Sequence, residues 1–139
     1  MRESCDSYDR ATQMLGLNRG IDLFNNGRFF DAHEELEDVW RTTPRDHPSR
    51  QHVQGLVQLA VAFHHAFTGN RTGARSVLER AVRNLEGAEA SFPELDLAQL
   101  RIELEYWQHH LTASGSGLVE TGLRRSVIAP ALPKILRRR

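Results

Sequence analysis

The sequence QHVQGLVQLAVAFHHAF, residues 51–67, is the most apolar run of the chain, and the other segments must pack around it. Its apolar residues fall on nearly every side of a helix, which is typical of a helix buried in a core. Yet Gln54, Gln58 and His65 share one side of that helix. Because a buried amide or imidazole is costly without a hydrogen bond, this side predicts polar partners from another helix.

Four further amphipathic segments flank this central helix, which we expect over residues 49–68. Apolar residues at helical spacing predict helices over about residues 15–24, 28–42, 70–88 and 95–111. Glycine, asparagine and proline between these segments are typical of helix ends and turns. No segment indicates paired strands. We therefore predict an all-α fold, a single-domain bundle of about five helices built from helical hairpins around a buried central helix.

A short pattern occurs twice in the chain. The pattern Gly-x4-Ala-x3-Leu-Glu starts at Gly27 and again at Gly69, an offset of 42 residues. In both copies a helix is predicted before the glycine and another after it. Two hairpins of similar build would explain the pattern, and so would chance similarity between amphipathic helices. The repeat resembles tetratricopeptide-type hairpins, but its offset is longer than their usual length of about 34 residues.

The bulk composition is that of a globular protein. The 139 residues carry 18 basic and 18 acidic side chains, so the whole molecule has no electrostatic bias toward nucleic acid or membrane surfaces. The first residues have no signal-peptide core, and the run at 51–67 is too interrupted to cross a membrane. With one cysteine, Cys5, no intrachain disulfide can form. We expect a cytoplasmic protein with neither nucleic-acid nor membrane partners.

The composition changes near residue 113. We expect a helical domain over residues 1–112, followed by a linker and basic tail over residues 113–139. The sequence ASGSG at 113–117 is typical of a linker, and the segment carries six basic residues against Glu120. One interpretation is a phosphate-seeking arm. The other is a tail whose apolar residues dock on its own or a neighbouring subunit: Val127, Ile128, Leu132, Ile135 and Leu136.

The second predicted helix offers polar partners for the central one. His33 and Glu37 lie four residues apart, and Trp40 is near the same face. Because this face must turn toward the core, we predict a polar layer of His33, Glu37, Gln58 and His65 between the two helices. The candidate binding residues are His33, Glu34, Glu37, Trp40, Gln54, Gln58 and His65.

The predicted layer has three interpretations. His33, Glu37 and His65 would supply two imidazoles and a carboxylate, a ligand set that suits a divalent metal with an open position for water. Glu34 follows His33 as in the zinc motif H-E-x-x-H, but the last position here is Glu37 rather than histidine. The other interpretations are a structural hydrogen-bond network and a small-ligand pocket beside Trp40. No cofactor is specified beyond this candidate metal ion.

Several separate motifs agree in order and spacing with one family. They are a Phe-Asn-x-Gly turn, an Ala-His-Glu-x-x-Glu-x-x-Trp helix, a Gln-Gly-Leu-Ile-Gln-x-Ala helix with valine in place of isoleucine, and a Gly-Asn-x-x-Gly-Ala turn, at residues 24–27, 32–40, 54–60 and 69–74. Over about residues 17–88 the chain resembles the family catalogued as domain of unknown function 309. The resemblance implies a small all-helical prokaryotic protein and implies no activity. It marks as motif positions His33, Glu34, Glu37, Trp40, Gln54 and Gln58.

Two functions remain open at this point. The one we favour is a non-enzymatic module that binds a protein or peptide, or assembles with copies of itself, because of the hairpin-like repeat and the tail. The alternative is a metal- or small-ligand-binding protein, including a hydrolase that uses His33, Glu37 and His65, with Glu34 or Glu37 as the base. The sequence does not decide whether this chain is an enzyme.

Overall fold

A computed structural model of the chain describes residues 9–113 and 130–138. These residues form five α-helices, which confirms the predicted all-α fold: α1 Arg10–Asn25, α2 Phe29–Thr42, α3 Ser49–Phe67, α4 Arg71–Asn84 and α5 Leu97–Ala113. A 3-10 turn, Ala88–Ala90, precedes α5. The described ranges contain no β-strand, only an isolated bridge between Leu95 and Arg137. None of the described helices combines the length and the hydropathy that a membrane span requires.

The first helix begins at Arg10, earlier than the apolar pattern near Leu15 predicts. The Asp9 side chain caps this start. It accepts hydrogen bonds from the Thr12 backbone N–H at 3.2 Å and from the Thr12 hydroxyl at 2.9 Å. A capped first turn needs no apolar stripe, so hydrophobic spacing alone did not reveal it.

The α1–α2 and α3–α4 hairpins turn in the same way. Gly27 and Gly69 have φ angles of 80° and 90°, in the left-handed region that glycine adopts without steric cost. The alanine and the leucine that follow each glycine in the repeated pattern are fully buried in both hairpins. The repeat in the sequence therefore corresponds to two hairpins of equivalent build.

One phenylalanine of the central helix joins four helices. The Phe63 ring of α3 contacts Phe24 of α1, Phe29 of α2 and Trp107 of α5, with ring centroids 6.0, 5.7 and 5.1 Å apart. Two of these contacts are edge-to-face, an arrangement favoured by the aromatic quadrupole. Because α3 also packs between α2 and α4, it is the central helix of the bundle, as predicted.

One side of α3 nevertheless stays at the surface. Gln54, Val57, Val61 and His64, which helical spacing places together, are partly exposed. The predicted burial of the central helix is therefore confirmed for its other sides, while this side is partly exposed. Val57 and Val61 indicated burial in the sequence, but a helix that packs between two neighbouring helices can still be uncovered on one side.

Residues 130–138 return to the bundle in an extended conformation. Ile135 is 1% exposed and belongs to the core, and the Trp107 indole N–H donates to the Ala131 carbonyl at 3.0 Å. Within this chain the tail therefore packs on the bundle through Ile135. Of the other apolar tail residues, two are about half exposed and two lie outside the described residues: Leu132 and Leu136, and Val127 and Ile128.

Gly55 provides a test of the α3–α4 packing. A Cβ atom on Gly55 would lie 2.8 Å from the Leu85 Cγ and 3.3 Å from the Ala81 carbonyl oxygen. We expect Gly55→Ala to lower the free energy of unfolding by about 1–2 kcal/mol, since overpacking outweighs the helix propensity that alanine gains. Urea titration measures this, with Ser76→Ala, at an exposed position of α4, as a control that stays within about 0.5 kcal/mol. A Gly55→Ala protein as stable as wild type would contradict the packing described.

His110 makes the stability of the bundle sensitive to pH. Burial, and secondarily the charge of Arg71, lowers the pKa of His110 below its ordinary value of 6.5. Because the unfolded chain binds this proton more readily, the contribution of His110 is present above the unfolded pKa and is lost as pH falls through the folded pKa. We expect His110→Gln to lose less stability than wild type between pH 7.5 and pH 5 in urea titrations. His109→Gln, at an exposed neighbour, is the matched control and should lose as much as wild type.

Candidate functional site

The open side of α3 continues onto α2 and forms one surface. We call this surface the outer strip. Helical spacing and the contacts described below place on it the following residues of α2 and α3: Phe30, His33, Glu37, Trp40, Arg50, Gln54, Val61 and His64.

The predicted pair of His33 and Glu37 forms on this strip. The His33 Nε2 lies 3.2 Å from the Glu37 Oε1, one helical turn away, and Arg41 approaches the other carboxylate oxygen at 3.6 Å. The side chains of His33 and Glu37 are 26% and 34% exposed. The pair is therefore at the surface of the hairpin, not in a buried layer.

Two of the three polar residues predicted to line the central helix have partners at α4. The Asn84 amide N–H of α4 donates to the Gln58 Oε1 at 2.8 Å. The His65 Nδ1 lies 3.4 Å from the amide nitrogen of Asn70, the N-cap residue of α4. Helical spacing correctly placed these groups on one side of α3, but it could not say which neighbouring helix that side would meet.

The predicted layer of His33, Glu37, Gln58 and His65 between α2 and α3 is therefore not formed. The same geometry separates His65 from the two other predicted metal ligands. Within residues 9–113 and 130–138, no group of three or more histidine, cysteine, aspartate or glutamate side chains could hold a metal ion. The set of His33, Glu37 and His65 is thus not brought together.

His64, which the sequence analysis did not select, takes the place beside His33. Phe30, His33, Val61 and His64 line a cavity of 160 Å³ in the outer strip. The Phe30 ring centroid lies 5.9 Å from the His33 imidazole and 5.4 Å from the His64 imidazole. The strip therefore has an apolar cleft flanked by two imidazoles. The sequence signal for this cleft was two pairs at i, i+3 spacing, Phe30 with His33 and Val61 with His64, on two helices that pack against each other.

Trp40 packs through its ring at the far end of the strip. The Arg50 guanidinium carbon lies 4.1 Å from the centre of the Trp40 ring, a cation–π contact, and Arg50 also donates to the Thr43 carbonyl at 2.7 Å. The Trp40 indole nitrogen is buried and has no hydrogen-bond partner among the described residues. Trp40 thus ties the end of α2 to the start of α3 and takes no part in a hydrogen-bonded layer.

The α2 side of the strip is acidic. Of the candidate binding residues not yet placed, Glu34 is exposed on this acidic helix and Gln54 is partly exposed on α3. Nearby arginines pair with several α2 carboxylates, such as Arg28 with Asp31 at 2.5 Å. A surface depression of 570 Å³ beside His33 is lined mostly by charged residues, five of them carboxylates of α2: Asp31, Glu34, Glu35, Glu37 and Asp38.

These features define a small all-helical protein of two equivalent hairpins with an open strip along α2 and α3. Residues 17–77 match the family described as Domain of unknown function (DUF309), which confirms the resemblance that the motifs predicted. The match begins in α1 and ends in α4. It therefore includes both hairpin turns and the whole outer strip.

Two relatives are uncharacterized proteins. An uncharacterized protein of Aquifex aeolicus is 28% identical over 104 residues, which cover 70% of this chain and 31% of that protein. The uncharacterized protein YpuF of Bacillus subtilis is 32% identical over 74 residues, which cover 53% of this chain and 42% of YpuF. The chain thus spans less than half the length of either relative. They support the family relationship and name no activity.

A double-mutant cycle tests where the polar groups of α3 find their partners. We expect Gln58→Ala and Asn84→Ala to couple by about 0.5–1.5 kcal/mol in the free energy of unfolding, because the two side chains share a hydrogen bond. Gln58→Ala and His33→Ala should be additive within about 0.5 kcal/mol. Coupling of Gln58 to His33, without coupling to Asn84, would contradict this geometry and support the predicted polar layer between α2 and α3.

Proposed function

We propose that this chain is a non-enzymatic interaction module that docks a helix of a partner protein on the outer strip. The observation that carries the proposal is the 160 Å³ cleft lined by Phe30, His33, Val61 and His64. Helix-in-groove recognition places an apolar anchor in such a cleft and uses the polar groups around it for orientation. The cleft is large enough for an aliphatic anchor.

Exposed aromatic side chains extend the cleft. Phe30 and Phe67 are 50% and 55% exposed, and both line an adjoining depression of 260 Å³ together with His64. The Phe67 ring stacks on the buried Phe29 ring at 5.8 Å, which holds it in position. Contiguous exposed aromatics are typical of interfaces, and an anchor that is already ordered loses less conformational entropy on binding.

The charges of the two helices favour a partner with basic residues on one edge. α2 carries five carboxylates against one arginine, whereas α3 carries no acidic residue. A partner helix with an aliphatic anchor and with lysine or arginine along the edge that faces α2 matches this asymmetry. Such a partner would form ion pairs with exposed carboxylates such as Glu34, which follows His33 on α2.

The family motif also supports this proposal. Three motif positions, His33, Glu37 and Gln54, lie on a partly exposed surface rather than in the core. A role confined to packing would not require polar side chains there. The alternative of a metal or small-ligand site, including a hydrolase, has less support because only the His33–Glu37 pair of its three ligands is adjacent.

Site-specific photo-crosslinking in the native organism tests the proposal. A benzophenone amino acid would replace Phe30, Val61 or, as a control, Leu15, which is 59% exposed on α1. We expect the same protein to cross-link from positions 30 and 61 and not from position 15. No protein captured at either strip position, or the same set captured from position 15, would contradict the proposal.

The identified partner then permits a quantitative test with purified proteins. We expect Phe30→Asp and Val61→Asp each to weaken its binding at least tenfold, because a charge in the cleft displaces the apolar anchor. Leu15→Asp should bind like wild type. We also expect affinity to fall as salt rises, since the acidic side of the strip attracts a basic edge. Isothermal titration calorimetry measures each change.

A further inference from the structure

The extended segment of residues 130–138 lies in a groove that makes hydrogen bonds to its backbone. This groove, which we call the tail groove, is formed by the end of α1, by α5 and by the residues just before α5. The residues that contact the segment through hydrogen bonds are Asn18, Asn25, Glu94, Asp96, Glu103 and Trp107.

The Asn25 side chain binds both backbone groups of one residue in the segment. Its Oδ1 accepts from the Ile135 N–H at 2.7 Å, and its amide N–H donates to the Ile135 carbonyl at 3.0 Å. One amide thus makes the pair of hydrogen bonds that a neighbouring β-strand would make. Asn25 belongs to the Phe-Asn-x-Gly turn of the α1–α2 hairpin, so the turn positions this amide.

The residues before α5 continue the recognition as a strand edge would. The Asp96 N–H donates to the Leu136 carbonyl at 2.8 Å, and the Arg138 N–H donates to the Glu94 carbonyl at 2.7 Å. These bonds flank the isolated antiparallel bridge. They follow the β-augmentation mode, in which main-chain bonds bind an extended peptide and pockets select its side chains.

Helix α5 supplies side-chain groups for the first half of the segment. The Lys134 N–H donates to the Glu103 Oε1 at 3.0 Å, and the Trp107 indole N–H donates to the Ala131 carbonyl. Together with the bonds from Asn25, Glu94 and Asp96, these contacts engage the backbone of five residues of the segment: Ala131, Lys134, Ile135, Leu136 and Arg138. Such bonds recognise any extended chain in this register.

Side chains give the groove its selectivity. Ile135 is inserted into the core and is 1% exposed. On either side of it, the Lys134 ammonium donates to the Asn25 carbonyl at 2.8 Å, and the Arg137 guanidinium donates to the Asn18 Oδ1 at 2.9 Å. The groove thus buries one aliphatic side chain and makes hydrogen bonds to a basic residue just before it and to another two positions after it.

We propose that the tail groove is a peptide-recognition site, occupied here by the chain's own C-terminal segment, and that its ligand in trans is the same segment of a second copy. The contacts involve only the groove and residues 130–138, and they do not depend on which chain supplies the segment. A tethered segment acts at an effective concentration in the millimolar range, so exchange requires a high protein concentration or a weakened tail. The tail groove is separate from the outer strip and does not rest on the proposed function.

Two full-length variants with complementary defects test the proposal. Ile135→Asp keeps the groove but weakens the tail, and Asn25→Ala keeps the tail but weakens the groove. We expect heterodimers in native mass spectrometry when the two are mixed, in excess of dimers in either variant alone. We also expect a labelled peptide of residues 130–139 to bind Ile135→Asp at least tenfold more tightly than the same peptide with aspartate at position 135.

Failure of both expectations with folded variants, judged by circular dichroism, would overturn the proposal. If Ile135→Asp does not fold, wild-type chains decide it. A photo-crosslinker at Leu136, which is 46% exposed, would be introduced into full-length protein mixed from light and heavy nitrogen isotopes. Cross-links between chains that reach the groove residues and increase with protein concentration would support exchange. Cross-links confined to single chains at every concentration would overturn it.

Discussion

The packing of Phe63 is the constraint on which the rest of the structure depends. Its ring contacts aromatic rings from α1, α2 and α5, so the positions of these helices relative to α3 are set at one point. The hairpin turns at Gly27 and Gly69 then fix which sides of α2 and α4 face α3. These contacts lie on one side of α3. No described helix covers the opposite side. The outer strip is the consequence of this arrangement.

The two surfaces differ in the ligand proposed for each and in whether the structure fills them. The outer strip is an open, partly aromatic surface with an acidic edge on α2, which suits a helix of another protein. The tail groove is filled by residues 130–138 and reads an extended backbone through Asn25 and its neighbours. Both surfaces use the α1–α2 hairpin, which lies largely within the family match. The proposed helix docking and the proposed tail exchange thus rest on one helical scaffold.

Much of the fold could be predicted from the sequence because helices follow local periodicity. The spacing of Leu56 and Phe63 indicated a central helix, and the glycine at each hairpin turn marked its end. The polar layer failed for a physical reason: spacing places Gln58 on a side of α3, but the choice between α2 and α4 depends on tertiary packing. His64 was missed because its neighbour His65 fitted the polar stripe better. The groove for Ile135 could not be foreseen, since it joins residues more than a hundred positions apart.

The outer strip faces solvent, whereas the opposite side of α3 belongs to the core. Solvent paramagnetic relaxation in NMR, with a soluble gadolinium chelate, measures this directly through the methyl groups of Val61 and Leu59. These residues lie two positions apart on the same helix, and Leu59 is fully buried. We expect strong relaxation of the Val61 methyls and little relaxation of the Leu59 methyls. Equal protection of both would mean that α3 is buried on all sides and that the outer strip is not a surface.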